Sequence, residues 1–283
     1  MSRSEALSRV FRPAGSLTAR GRGHYLPTPM GLLRAAASWL FTVPFLVLFG
    51  GLLVLFDPLQ RLAHFFGRRA HWVTVNALQW SLVQALRVCG TRFAFERHPA
   101  VEPGRPYVMI SNHQSMFDIP ILTGALFWRF PLFVSKRELA RGIPSISYNL
   151  RVGGSALIDR SDRQQAREAI RALGRRIREW GVSAVIFPEG TRARDGQVKP
   201  FKPGGALELI AAAEGLAVLP AAIDGSWELL RHRLRPVPFG TRVRVWLGEP
   251  LGRGNGESPE ELLGRAELVV QATLRRWRDE ARR

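Results

Sequence analysis

The sequence predicts an α/β domain carried behind a bilayer-length apolar segment, and two patterns in it predict this. Between residues 91 and 283 short apolar runs alternate with amphipathic helical patterns, the mark of strands and helices taking turns along one chain. Ahead of them lies "AAASWLFTVPFLVLFGGLLVLF", Ala35 to Phe56, with no charge between Arg34 and Asp57. A chain of 283 residues can bury a sizeable core, and with no internal repeat it suits one main domain plus an appendage. The expected division is a basic N-terminal segment over 1–34, membrane-anchoring apolar and interfacial helices over 35–90, and an α/β domain over 91–283.

As a helix, the apolar segment would extend roughly 33 Å, against a hydrocarbon core of about 30 Å. It lies too far from the start, and runs too long, for an ordinary secretory signal. A buried core helix is the alternative reading. Pro44 and Gly50-Gly51 are expected to break it into pieces too short to span alone. Arg3, Arg9, Arg12, Arg20, Arg22 and Arg34 precede it, and Arg61, Arg68 and Arg69 follow. With both flanks basic, the expectation is a monotopic anchor whose two ends stay on the cytoplasmic side. The next stretch mixes arginines with Phe65, Phe66, Trp72 and Trp80. That suits an interfacial helix at headgroup level, and equally an amphipathic helix packed on the domain.

Within the α/β region, "PYVMIS" reads as a strand, Phe117 to Leu126 as a helix, and "LFVS" and "SALI" as strands. "SDRQQAREAIRALGRRIREW" opens on a capping Ser161 or Asp162. Its Ala166, Ala169, Ile170, Leu173, Ile177 and Trp180 fall on one face at helical spacing. "VSAVIFP" is a fully buried strand, "PGGALELIAAAEG" a helix, "AVLPAAI" another buried strand and "TRVRVWLG" an alternating one. Ser258 to Arg283 closes as an arginine-rich helix.

Composition narrows the partners. There are 41 basic against 23 acidic residues, a net +18, and Lys136, Lys199 and Lys202 are the only lysines. Such a surface attracts phosphates, whether of nucleic acid, anionic lipid or an acidic carrier. No helix-turn-helix pattern, aromatic RNA-binding strand or zinc finger is present, which argues against nucleic acid. The single cysteine, Cys89, excludes an intramolecular disulfide and a cysteine zinc cluster, and reads as an inert packing residue. The six histidines are scattered without ligand spacing, so no metal site is predicted.

Three strand ends carry candidate chemistry, because ligands of α/β sheets gather at the carboxyl ends of strands. At the first, "MISNHQSMFDIP" stops an apolar strand at Asn112-His113 and places Asp118 five residues beyond the histidine. A carboxylate there can fix the imidazole tautomer and support its charge, making His113 a general base. The same spacing also fits a structural histidine beside a capping aspartate. At the second, "PEGTRARDG" places Glu189, Gly190, Thr191 and Arg192 in a turn just past a strand, where Arg192 could present its planar fork to phosphate oxygens. An ordinary polar turn has the same look. At the third, Arg160 follows a short strand, and Lys202 sits before a glycine pair as a further phosphate contact. Either could be a plain surface charge.

In combination, "NHQSMFD", "GSALIDR", "FPEGTR" and "VLPAAI", in this order from Tyr107 to Ile223, resemble the four blocks of the glycerolipid acyltransferases, specifically the 1-acylglycerol-3-phosphate acyltransferases. The first and third match in full. The second has Ala156-Leu157 where bulkier residues are common, and the fourth has Leu219-Pro220-Ala221-Ala222 where Val-Pro-Val is frequent. The resemblance implies a mixed sheet flanked by helices, with His113 and Asp118 as catalytic dyad. It also implies that Glu189, Gly190, Thr191, Arg192, Arg160 and Lys202 bind the acceptor. The implied reaction moves an acyl chain from acyl-CoA or acyl carrier protein to the sn-2 hydroxyl of 1-acylglycerol-3-phosphate, giving phosphatidic acid. It needs no cofactor beyond that donor, and no nucleic acid. Membrane lipid and a lysophospholipid are the implied partners, at the inner membrane with the site facing the cytoplasm. Another lysophospholipid or a lyso-aminolipid as acceptor, or a non-catalytic anionic-lipid-binding membrane protein, are the alternatives.

Overall fold

The computed structural model describes residues 29–125, 131–254 and 256–282. Most of the basic 1–34 segment, with Arg3 to Arg22, lies outside the described residues, as does Leu126. Seven strands form one mixed sheet: β1 (Arg92–Arg97), β2 (Tyr107–Ser111), β3 (Leu132–Lys136), β4 (Ala156–Ile158), β5 (Ala184–Ile186), β6 (Ala217–Asp224) and β7 (Arg242–Leu247). Their spatial order is β1-β7-β6-β2-β5-β3-β4. The strands from β6 to β4 run parallel, whereas β7 is antiparallel to β6 and β1 is parallel to β7.

Side-chain alternation sorts the central strands into two cores. Val108, Ile110, Ala184, Ile186 and Val218 face helices α5 (Arg163–Trp180), α6 (Pro203–Ala212) and α7 (Pro259–Arg282). Tyr107, Met109, Val185, Leu219 and Ile223 face the other way. They meet residues of α1 (Pro29–Phe65), α2 (Arg68–Leu86) and α3 (Asp118–Ala125). Both faces being covered explains why these strands read as continuous apolar runs. Asp162 caps α5, accepting from the Gln165 amide at 2.9 Å. Gly174 lets α5 and α6 close up, since a Cβ there would sit 2.5 Å from that of Ala212.

Two short elements had weak patterns. The strand β1, "RFAFER", is an edge strand with five of its six residues exposed. The helix α4 (Ile146–Val152) is only 7 residues long.

The N-terminal segment departs from expectation. Instead of broken pieces, α1 is a single helix of 37 residues running through Pro44, Gly50-Gly51 and Pro58. At 1.5 Å per residue that is about 55 Å. A proline inside a helix costs about 3 kcal/mol, and tertiary packing offsets it here. Phe45, next to Pro44, is fully buried between Phe49 and Phe117, with ring centroids 5.7 and 6.2 Å away. The buried positions Ser38, Thr42, Phe45, Leu53 and Gln60 mark one stripe against the domain. The opposite stripe is bare and apolar, with Leu40 at 69% and Val47 at 70% exposure.

Candidate active site

The strand β2 ends where Asn112 takes over its pairing: the side-chain amide donates to the Ile223 carbonyl at 2.8 Å and accepts from the Ile223 amide at 2.9 Å. This clamp spends Asn112 on the neighbouring strand and leaves His113 as the first residue free to turn toward the rim. Its ring stacks on Phe187, with centroids 4.1 Å apart and planes 15° apart. Phe187 follows β5, so the apolar residue before "PEGTR" forms the wall that orients the imidazole.

Asp118, the first residue of α3, is fully buried. Burying a carboxylate is costly unless its oxygens are satisfied, and here both are. Oδ2 accepts from His113 Nδ1 at 2.8 Å and from the amides of Gln114 and Ser115 at 2.6 and 2.8 Å. Oδ1 accepts from Ser226 Oγ at 2.5 Å. An acid on Nδ1 fixes the proton there and leaves Nε2 with its lone pair, the arrangement a general base requires.

Glu189 holds the two strand ends together. It is 1% exposed, accepting from the His113 amide at 2.8 Å and the Lys199 amide at 3.1 Å. Burial pushes its pKa up, and the two amides pull partly against that. The resemblance grouped Glu189 with the acceptor-binding residues, but its carboxylate faces backbone amides. It positions the histidine loop instead of presenting itself to solvent.

Across the Phe187–Gly190 turn lies a groove of about 900 Å³. Arg160, Gly190, Thr191 and Lys202 line it, together with the start of α6. Gly190 has φ +70°, a backbone conformation glycine favours. Thr191 Oγ1 accepts from Lys199 Nζ at 3.0 Å. The structure thus gathers four of the six expected acceptor residues in one groove. Arg192 is not among the lining residues, and its carbonyl accepts from Lys199 Nζ at 3.0 Å. Among the described residues, no three His, Cys, Asp or Glu side chains are placed to share a cation.

Three residues at the site escaped the sequence reading. Ser226 and Gln114 support Asp118, with Ser226 Oγ also 3.3 Å from Gln114 Oε1 and Gln114 Nε2 3.0 Å from Asp224 Oδ1. Phe187 stacks on the base. The one available signal was position: Ser226 follows the carboxyl end of β6, the same rim that carries His113 and Glu189. Cys89 is buried, and burial raises its thiol to about 11, in keeping with an inert packing role.

Known proteins resemble this chain in sequence and in fold. The sequence profile of the family described as Acyltransferase matches residues 92–224. A 1-acyl-sn-glycerol-3-phosphate acyltransferase from Pseudomonas aeruginosa is 31% identical over 212 residues, 74% of this chain and 79% of that one. The enzyme of the same name from Cocos nucifera is 25% identical over 234 residues, 81% of this chain and 71% of that one. Among solved structures, the 1-acyl-sn-glycerophosphate acyltransferase PlsC from Thermotoga maritima superposes with a TM-score of 0.65 at 24% identity. That match covers 87% of this chain and 98% of that one, and speaks for the fold. With the mixed sheet and its histidine–aspartate rim already in view, these relationships establish that the chain is an O-acyltransferase belonging to the 1-acyl-sn-glycerol-3-phosphate acyltransferase family.

Proposed function

We propose that the protein transfers an acyl chain from a thioester of coenzyme A or acyl carrier protein to the sn-2 hydroxyl of 1-acylglycerol-3-phosphate, forming phosphatidic acid. The observation that carries this reading is the His113 ring, held on Nδ1 by a fully buried and fully hydrogen-bonded Asp118. Nε2 takes the proton of the acceptor hydroxyl. The oxygen attacks the thioester carbonyl, the C–S bond breaks, and the imidazolium returns its proton to the departing thiolate. The attack is direct, so no acyl-enzyme forms, and the activated thioester makes a further cofactor unnecessary.

The groove beside Gly190 suits the phosphate of the acceptor. Arg160, Arg163 and Lys202 supply cations there, and Arg192 follows Thr191 in the chain but is not part of the lining. Holding the headgroup so that the hydroxyl meets His113 can lower the barrier by several kcal/mol.

The bare stripe of α1 supports a membrane anchor, and its opposite stripe supports the monotopic form. Contacts to the domain run along the helix from Arg34, whose Nε donates to the Phe239 carbonyl, to Asp57, which accepts from the Ser145 amide. Those contacts span about 35 Å of helix. A helix tied to the domain over that length lies along the membrane face of the domain, with both ends on one side.

Purified protein given labelled acyl thioesters and a panel of lysolipids tests the function. The expected outcome is preferential acylation of 1-acylglycerol-3-phosphate. Faster acylation of a lyso-aminolipid, or release of free fatty acid as main product, would overturn it.

A further inference from the structure

The rim that carries His113 extends sideways to a second feature, to which the proposed transfer assigns no residue. A groove of about 890 Å³ opens between the start of α1 and the leading ends of β1 and β7. Because β7 runs antiparallel to β6, its leading end lies at the same edge of the sheet as the end of β2. The groove therefore sits two to three strand positions along, about 10–14 Å from the His113 strand.

Three arginines converge there: Arg34 from α1, Arg92 from β1 and Arg242 from β7. Arg92 and Arg242 are Cα partners in adjacent strands. Like charges on neighbouring strands about 5 Å apart repel, the more weakly the more water reaches them. Among the described residues none of the three arginines has an ion-pair partner, although Arg34 Nε donates to the Phe239 carbonyl, and Glu228 is the one acid in the lining. The remaining wall is apolar, from Leu33 and Phe239. Arg34 is also the last charge before the uncharged run that ends at Asp57. The bare stripe of α1, from Trp39 onward, begins within about 10 Å of it. A headgroup layer is about 5–8 Å deep on each side of the hydrocarbon core, and the helix from Arg34 to Trp39 rises about as far.

We propose that this groove binds the headgroup phosphate of an anionic membrane lipid, whose tails lie along the bare face of α1. The proposal rests on the reading of α1 as a membrane anchor, and not on the identity of the acyl acceptor. An anion offsets the Arg92–Arg242 repulsion, and the apolar wall continues into the path of the tails. A bound lipid would hold the rim, and with it His113, at the membrane surface.

Flotation of the full chain with phosphatidylcholine vesicles, with and without phosphatidylglycerol, tests this. Phosphatidylglycerol is neither substrate nor product of the proposed reaction. The variant Arg92→Gln/Arg242→Gln should bind neutral vesicles like the wild type, while its extra affinity for anionic vesicles falls about 25-fold, about fivefold for each arginine. Glu228→Gln should strengthen anionic binding. A control pair on α5, Arg175→Gln/Arg178→Gln, should lose clearly less. Equal losses for the two pairs would reduce the groove to diffuse surface charge and overturn the proposal. So would inorganic phosphate binding that needs Arg92 and Arg242 while the vesicle increment does not, since the site would then serve a soluble anion. Wild-type protein that ignores neutral vesicles, yet loses anionic binding in the double variant, keeps the groove and removes the α1 anchor. Neutral binding with no anionic increment does the reverse.

Discussion

Replacing His113 by alanine removes the base and should lower transfer by roughly 10² to 10⁴, with thermal melting little changed because the ring is partly exposed at the rim. Ser226→Ala leaves ring and carboxylate in place and removes the hydroxyl from Asp118 Oδ1 and, at longer range, from Gln114 Oε1. It should reduce kcat by about tenfold or less with acceptor KM nearly unchanged. A loss as large as that of His113→Ala would mean that Ser226 does more than steady Asp118. Glu189 gives a test in pH. Burial raises its pKa, so the folded state holds the proton more tightly than the unfolded chain, and ionisation costs stability as pH rises through the folded pKa. Glu189→Gln lacks that cost. Urea melts from about pH 4 to pH 7 should show the variant gaining on the wild type as pH rises, even as one amide of His113 or Lys199 loses its acceptor and activity falls. The two arginines should differ as well. Arg160→Ala, in the groove, is expected to raise KM for a phosphate monoester acceptor more than Arg192→Ala does. The opposite order would move headgroup recognition to Arg192. His113, Asp118 and Glu189 were legible because strand ends and turns leave local patterns. Ser226 was not, since its partner Asp118 lies 108 positions away and a lone serine after a strand is ordinary.

Elements were legible in proportion to their burial. The strands β2, β5 and β6 bury both faces and read as apolar runs, and the stripe of α5 fell at helical spacing. The edge strand β1 hid because its exposed residues need no alternation, and α4 because a short helix has too few turns to show a period. The single error of kind concerns α1, where Pro44 and the glycine pair were expected to end helices. Propensity is a weak prior when packing is strong, and Phe45, fully buried on the Phe117 ring, shows which effect won. The monotopic arrangement can be checked with cysteines introduced at exposed Leu32 and Phe66, because Cys89 is buried and should stay silent. Both should label from the same face of a sealed membrane. Labelling from opposite faces would establish a span.

At the scale of the whole molecule, the charge of +18 announced a phosphate-seeking surface without saying where it would be used. Among the described residues, the fold gathers part of that charge into two grooves on one edge of the sheet, Arg160, Arg163 and Lys202 in one and Arg34, Arg92 and Arg242 in the other, something no residue count could show. The long contact of α1 has a further consequence for anyone preparing the enzyme. Phe45 is fully buried against Phe117, Phe41 meets Phe239 at 5.1 Å, and the Thr42 hydroxyl accepts from the Val237 amide. Clipping the chain near Gly67 would therefore strip the lid from an interior seam, leaving Phe117 wet and the Val237 amide without its acceptor. Such a truncation should yield inclusion bodies or a detergent-dependent aggregate in place of a freely soluble catalyst. A monodisperse, active product from it would show that anchor and domain are separable modules after all.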